Sequence, residues 1–276
     1  MRHKLLLLPI CMGLCFLLIP DRAPVASSSQ PILHSWVDDG QSLPDEATFA
    51  ELARTDPVLF LVACLRRHNR EIQSYSGLMV KQERIKNKLK ETEVIDFWFR
   101  EKPYSVLMKW QSGSKLLREA SSTLYVENEN NGKVLIVPNA FKKLGKYVER
   151  DPESDEVKGA SRYGIREFSI RQGTERTWLA WKAAQEKGIL FVEYEGIKPI
   201  AELDNRPCYV LKRTCKPTEE DGIATVEIMV DTQTWLQLGS VLRNSESELI
   251  GRYYFTQLKI NPEFPEDQFT KDTVRK

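Results

Sequence analysis

The sequence has very little histidine and none of the short motifs typical of common hydrolase or metal sites. Its three histidines are His3, His34 and His68, and it contains no GxSxG, HExxH or CxxC motif and no glycine-rich phosphate loop. A serine or cysteine nucleophile would therefore have no evident histidine base. These absences argue against catalysis, and we expect neither an enzyme nor a bound metal or other cofactor.

The chain also lacks an excess of charge of either sign. Among its 276 residues, 40 Lys and Arg face 39 Asp and Glu, which gives a net charge of +1. The basic and acidic residues are interleaved, so the sequence offers no basic surface for nucleic acid or for an anionic membrane. We expect no nucleic-acid partner and at most transient membrane contact. The mean hydropathy of -0.41 excludes a mainly membrane-embedded protein.

One long apolar run is present, at the N-terminus. The basic stretch MRHK precedes LLLLPICMGLCFLLI, and small residues follow in VASSS. This arrangement predicts a signal peptide over residues 1–27, with cleavage after Ser27 or Ser28. A retained membrane anchor is the alternative, although the run is short for a bilayer span. We expect an exported protein of the periplasm or cell envelope.

Cysteine is sparse after the predicted cleavage site. Cys64, Cys208 and Cys215 remain, which is an odd number. Export permits a disulfide, but Cys208 and Cys215 are seven residues apart in CYVLKRTC, too far to bond on one straight strand. The pairing stays open, and buried free cysteines are the favoured interpretation.

The remaining chain divides into a linker and one domain. Residues 28–44 are polar and predict a linker, and residues 45–276 a single folded unit. A helix is expected near Asp45, and Asp56-Pro57 is typical of the start of a second helix. The order helix, strands, helix, strands predicts an α+β fold: one curved antiparallel sheet with helices against its concave face. Two separate α+β domains would also fit.

Two hairpins are clear in the first group of strands. EVIDFWFRE and YSVLMKWQ flank Lys102-Pro103 with apolar residues at every second position, and STLYV and KVLIVPN flank Asn131-Gly132. The following helical region, REFSIRQGTERTWLAWKAAQEKG, includes Gly173 as a point of interruption and places Trp178 and Trp181 on one face.

Several of these segments resemble known families. LYVENENNGKVLIVPNAF, YGIREFSIRQGTERTWL and NRPCYVLKRTCKP are similar to planctomycete-type exported bacterial proteins of the DUF1571 family. The first hairpin and the ending LIGRYYFTQLKINPEFPEDQF resemble the LolA-like superfamily of periplasmic lipoprotein carriers. The resemblance to DUF1571 covers about residues 45–270.

The resemblance implies a half-open β-barrel that helices close as a lid over an apolar cavity. It implies a non-enzymatic carrier for a lipid, a lipoprotein acyl chain or a similar apolar ligand, with envelope proteins that load or unload it. The alternative is a periplasmic sensor or interaction protein on the same scaffold, and an envelope enzyme is the weaker one. Asn261-Pro262 would end the last strand, and Phe264 and Phe269 would pin the tail back over the barrel.

Alternating apolar residues are the candidate cavity lining, although ordinary core packing would use the same residue types. The predicted ligand-binding residues are Phe97, Phe99, Val106, Met108, Trp110, Val226, Ile228 and Val230. The predicted lid or gating residues are Arg100, Trp178 and Trp181. In the carrier superfamily a barrel arginine can hold the lid; a solvated surface arginine is the alternative for Arg100.

Overall fold

The computed structural model describes residues 36–113, 119–219 and 221–275. The predicted signal peptide, residues 1–27, and residues 28–35 of the predicted linker lie outside the described residues. No helix in the described part of the chain has the length and apolar character needed to cross a membrane.

Five helices and twelve strands are found in these ranges, in the predicted order of helices, strands, helix and strands. The helices are α1 (Glu46–Thr55), α2 (Pro57–Glu71), α3 (Asp155–Lys158), α4 (Ile170–Glu186) and α5 (Lys271–Arg275). The strands before α3 are β1 (Ser74–Ile85), β2 (Lys88–Leu89), β3 (Glu93–Arg100), β4 (Ser105–Ser112), β5 (Ala120–Val126), β6 (Val134–Pro138) and β7 (Val148–Arg150). Those after α4 are β8 (Leu190–Ile200), β9 (Arg206–Cys215), β10 (Thr225–Asp231), β11 (Gln237–Arg243) and β12 (Leu249–Ile260).

Side-chain caps fix where the three long helices begin. Asp45 accepts a hydrogen bond from the Thr48 amide at 2.7 Å, and Asp56 accepts one from the Leu59 amide at 2.9 Å. Each cap satisfies an amide that has no partner within its helix. Ser169 caps α4 in the same way, and α4 continues through Gly173 without interruption.

All twelve strands belong to one antiparallel sheet. Its order is β7-β6-β5-β4-β3-β1-β12-β11-β10-β9-β8, and β2 pairs with β1 beside this path. Within the described residues the end strands β7 and β8 do not pair with each other, so the sheet is not closed. The predicted single antiparallel sheet with a few helices is confirmed.

The first predicted hairpin consists of β3 and β4. Phe97 pairs with Met108 and Phe99 with Val106, so alternate residues of both strands share one face. The second hairpin consists of β5 and β6, in which Leu124 pairs with Leu135. Its connection is longer than two residues, and Asn131 and Gly132 lie within it at φ values of 55° and 71°.

Helices α1, α2 and α4 pack over the half of the sheet that contains β9 and β10. Phe49 stacks on Trp235 with ring centroids 3.8 Å apart and on Phe60 at 4.5 Å. These rings form one buried cluster with Leu211 and Ile228 of the sheet. The amphipathic pattern of α2 therefore covers strands of this half.

Part of the predicted linker lies against α2 and α4. Trp36 is buried, and its amide donates to Glu175 at 2.8 Å. Arg66 of α2 binds Asp39 at 2.8 Å. Arg70 binds Asp38 at 2.6 Å, and this hydrogen bond is the main reason why the pKa of Asp38 is lowered. Residues 36–44 thus have defined contacts with the domain.

Asn261 explains how the chain leaves the sheet. Its backbone has φ of 48°, a left-handed conformation that asparagine tolerates. Its side-chain oxygen accepts from the Gln73 amide at 2.8 Å, and its amide group donates to the Glu71 carbonyl at 2.7 Å. Asn261 therefore joins the end of β12 to the junction between α2 and β1.

The C-terminal tail, which includes α5, packs against the face of the sheet opposite α1, α2 and α4. Phe269 is buried with Leu107, Leu124 and Leu135, and Phe264 meets it edge to face at 5.3 Å. Leu107 alternates with Met108 along β4, so these side chains point to opposite faces. Burial of an aromatic side chain contributes about 1.5–3 kcal/mol, which holds the tail on this outer face.

Candidate functional site

A cavity of about 970 Å³ lies against the inner face of the sheet. Every strand from β7 to β9 along the sheet order contributes a lining residue. If flat, this run of strands would be about 43 Å wide at the usual spacing of ~4.8 Å. One cavity of this size touches all of them only because the sheet curves around it.

Helix α4 and the chain before it border the opposite side of the cavity. Val157, Tyr163 and Phe168 line it from the segment between β7 and α4, and Thr177 and Trp181 line it from α4. The Tyr104 hydroxyl donates to the Phe168 carbonyl at 2.6 Å, which ties this segment to the turn between β3 and β4.

The predicted ligand-binding residues share the inner face but divide between its two ends. The packed end comprises Phe97, Phe99, Val106, Ile228 and Val230, all 0% exposed and none lining the cavity. The cavity end comprises Met108, Trp110 and Val226, which line the cavity. Ligand binding by these residues stays a prediction.

The predicted gating residues lie in three different settings. Arg100 shares the outer face with Trp98: its guanidinium donates to the Ser105 hydroxyl at 3.0 Å and lies 4.8 Å from the Phe269 ring centre. Trp178 and Trp181 are buried among the helices, and Trp181 also lines the cavity. A gating role for these three residues stays a prediction.

The structure adds a buried group of polar residues that we call the Lys81 cluster: Lys81, Glu83, Glu93, Ser161 and Tyr253. The Lys81 ammonium lies 3.1 Å from a carboxylate oxygen of Glu83 and 3.1 Å from one of Glu93. Lys81 is 7% exposed and Glu83 4% exposed. All five residues line the cavity.

Three further hydrogen bonds reach Glu83, one of them from the Arg162 amide at 3.3 Å. The Tyr253 hydroxyl donates to Glu83 at 2.7 Å, and the Ser161 hydroxyl donates to it at 2.9 Å. Lys81 in turn donates to the Ser161 oxygen at 3.1 Å. The cluster therefore connects β1, β3 and β12 with the segment that precedes α4.

The pKa shifts show a charged ion pair. Burial acts to raise the pKa of the Glu83 carboxyl, but the Lys81 charge and the hydrogen bonds from Tyr253 and Ser161 outweigh it, so this pKa is lowered. Burial acts to lower the pKa of Lys81, but Glu83 and Glu93 outweigh it, so this pKa is raised. Burial and the Glu83 charge raise the pKa of Tyr253.

These shifts bear on the chemistry of the cluster. Ser161 and Lys81 lie at the distance of a nucleophile and its base, but a lysine held in its charged form cannot accept a proton from serine. Glu83 is a weaker base than usual because its pKa is lowered. The arrangement stabilises the charges of its own residues, and it does not activate Ser161.

The Lys81 cluster was not predicted from the sequence, although the signal for it is present in β1. Met79, Lys81 and Glu83 alternate along the strand, so all three point to the inner face. Charged residues at positions of an inward-facing pattern indicate a buried ion pair or a polar site.

Charged residues on the cavity lining are more often acidic than basic. The basic ones are Lys81, Lys90, Arg150, Arg176 and Arg213. The acidic ones are Glu83, Glu91, Glu93, Glu119, Glu156, Glu167, Glu219 and Asp221. Among the residues that the structure describes, no group of three or more His, Cys, Asp or Glu side chains is placed to hold a metal ion.

The three cysteines of the domain are buried as free thiols. Cys64 lies in the helix cluster, Cys208 on β9 and Cys215 at the end of β9. Burial raises the pKa of the Cys208 thiol to about 12. These thiols are unreactive at neutral pH.

The fold and its cavity define an α+β domain built on one open antiparallel sheet. A protein-family model described as "Protein of unknown function (DUF1571)" matches residues 72–274. The chain belongs to the DUF1571 family, as the sequence predicted. No curated protein shows significant similarity to it.

Solved structures with similarity to this chain are distant. The Pseudomonas aeruginosa MucA/MucB complex contains a chain with a TM-score of 0.44 and 18% identity; the match covers 78% of this chain and 60% of that one. A LolA superfamily protein from Nitrosomonas europaea has a TM-score of 0.34 and 8% identity, with coverage of 77% and 98%. Mycobacterium tuberculosis lipoprotein LppX has a TM-score of 0.33 and 9% identity, with coverage of 76% and 98%. This chain spans about three fifths of the MucB-type chains that it matches.

Proposed function

We propose that this protein is an exported, non-enzymatic binding protein of the cell envelope. It holds a lipid, a lipoprotein acyl chain or a similar apolar ligand in the cavity on the inner face of the sheet. The observation that carries the proposal is the cavity itself, about 970 Å³ in volume with Met108, Trp110 and Val226 on its lining. Ligand pockets in proteins are typically about 300–1,000 Å³.

The energetics favour a ligand with a long hydrocarbon chain. Each methylene removed from water contributes about 0.8 kcal/mol, so twelve would contribute about 10 kcal/mol. Loss of translational and rotational freedom costs about 4–15 kcal/mol on association. A chain of about four methylenes would not reach the lower bound of this cost, whereas a fatty acyl chain of about twelve exceeds that bound.

The mechanism we propose is partition between the cavity and another apolar phase. Helix α4 and the segment between β7 and α4 act as the lid, and their displacement sets the rate of ligand release. Envelope proteins that load or unload the ligand are the proposed partners, and membrane contact is transient.

Lipid co-purification tests this function. The mature protein is purified from the envelope without detergent, and native mass spectrometry with lipid extraction identifies any bound molecule. We expect a stoichiometric ligand of lipid mass. Val226→Trp fills the cavity end and is expected to abolish the bound mass. Ile197→Trp is the control, because Ile197 is 53% exposed on the edge strand β8.

Two results would contradict the proposal. One is a ligand-free mass with no uptake of added phospholipid or acylated peptide, which would favour an interaction or sensor protein on the same scaffold. The other is equal ligand occupancy in Val226→Trp and in the control, with both variants folded by circular dichroism.

A further inference from the structure

Glu93 and Trp110 form one of the polar groups on the cavity lining. These residues lie on the neighbouring strands β3 and β4, both line the cavity, and the indole N–H of Trp110 donates to Glu93 at 2.7 Å. The Glu93 side chain is 27% exposed, whereas that of Glu83 is 4% exposed. Glu93 is therefore the carboxylate of the Lys81 cluster that a ligand in the cavity can reach.

The charges of the Lys81 cluster do not balance. One ammonium, that of Lys81, faces the carboxylates of Glu83 and Glu93 at equal distances of 3.1 Å. Glu83 accepts additional hydrogen bonds from Tyr253, Ser161 and the Arg162 amide, whereas Glu93 accepts one from Trp110. The less compensated carboxylate is therefore that of Glu93, and the apolar part of the lining strengthens its attraction for a cation because it lowers the local dielectric constant.

Trp110 lies beside Glu93 on the same lining. The face of an indole ring attracts ammonium groups more strongly than the other aromatic rings do. A carboxylate and an indole side by side in an apolar cavity suit a ligand with an alkyl chain and a cationic head. A ligand with an anionic head at Glu93 would place like charges together.

Two other side chains on the lining have unsatisfied oxygens. Thr123 and Gln237 are each 7% exposed, and within the described residues their side-chain oxygens have no hydrogen-bond partner. A buried oxygen without a partner costs about 1–3 kcal/mol. A ligand that brings N–H or O–H donors would remove part of this cost, whereas a bare hydrocarbon would not.

We propose that the cavity selects amphiphiles whose head carries an ammonium group, bound against Glu93 and Trp110. This inference rests on the proposed lipid-binding function and narrows its ligand to one chemical class. The alkyl chain contacts Met79 and Met108, and the ammonium lies beside the Glu93 carboxylate.

Three probes that share a twelve-carbon alkyl chain and differ in the head group separate the contribution of the head group to binding from that of the chain. Dodecylamine, dodecanol and dodecanoate are titrated into the mature protein by calorimetry at pH 7, below their aggregation concentrations. We expect dodecylamine to bind at least about tenfold more tightly than dodecanoate, with dodecanol between them. Glu93→Gln is expected to reduce this preference about tenfold. Glu149→Gln, which removes the same charge from an exposed position on β7, leaves it unchanged.

Each outcome decides a different claim. Equal or tighter binding of dodecanoate would overturn the ammonium preference and leave the proposed function in place. Failure of all three probes to bind would overturn the proposed function and this inference with it. If Glu93→Gln does not fold, Trp110→Leu provides the second test, and an unchanged preference in a folded Trp110→Leu would also overturn the inference.

Discussion

The two ends of the inner sheet face are built from the same kind of residue but differ in what covers them. At the packed end, Phe97 lies 5.5 Å from the Phe168 ring and 5.9 Å from the Tyr75 ring. At the cavity end, Met108 pairs with Phe97 across the hairpin and yet borders open space. The alternation along a strand determines which side chains point to the inner face. The placement of the helices determines which part of that face is covered and which part borders the cavity.

The two ends also differ in the ionisable side chains that they bury. At the packed end, His68 is buried within 3.3 Å of Glu101. At the cavity end, the Lys81 cluster holds an ion pair with several hydrogen bonds. A buried charge persists only with partners, so each end depends on different groups for its stability.

The largest expected effect contrasts two core residues. Phe97→Ala should lower the free energy of unfolding by about 3–5 kcal/mol, because it opens a new void among packed rings. Met108→Ala should lower it by about 2 kcal/mol or less, because its side chain already borders a cavity. Urea denaturation measures both values. Equal losses would mean that the cavity end is as tightly packed as the other.

Loss of the buried ammonium should have the next largest effect. Lys81→Met leaves the buried carboxylate of Glu83 and the partly exposed carboxylate of Glu93 without a counter-charge and should lower the free energy of unfolding by about 3 kcal/mol. Lys259→Met, at an exposed position on the neighbouring strand β12, is the matched control and should change it little. An equally small change in both variants would show that the Lys81 cluster is not buried in solution.

The two ends should lose stability in different pH ranges. Burial outweighs Glu101 and lowers the pKa of His68, so the unfolded chain binds the proton first and stability falls as pH drops below about 6.5. The pKa of Glu83 is lowered, so its contribution is complete above about 4.5 and is lost as pH falls through the folded value.

Thermal unfolding between pH 8 and pH 3 checks this contrast. His68→Asn should reduce the change of unfolding temperature with pH just below about pH 6.5. Glu83→Gln should reduce that change below about pH 4.5. If His68→Asn changed the lower pH range instead, or Glu83→Gln the upper one, the assignment of these pKa shifts to His68 and Glu83 would be wrong.

The smallest effect is expected at Arg100, on the outer face. Arg100→Gln removes the contact with Phe269 and should lower the free energy of unfolding by about 0.5–1 kcal/mol. Ligand release, measured by stopped-flow in the same variant, tests the gating role predicted for this arginine. A ligand-release rate equal to that of an Arg54→Gln control would show that Arg100 has no gating role.

Much of the fold follows from local signals. Asp56 caps the second helix as predicted, and Asp45, near which the first helix was expected to begin, caps that helix too, because a short acidic side chain satisfies a free amide at a helix start. The alternation in β3 and β4 correctly placed Phe97, Met108 and Trp110 on one face. The cavity was not predictable from the residues, because a packed core and a cavity wall require the same apolar side chains.

The sequence by itself determined the family, the β3–β4 and β5–β6 hairpins and the side chains that share a face within β3 and β4, since these depend on neighbours along the chain and on a period of two. Only the tertiary structure decided which apolar residues are covered by helices and which border the cavity. The tertiary structure also brought Ser161 to Lys81 across 80 residues and Phe269 to the outer face, because these contacts depend on how the sheet curves.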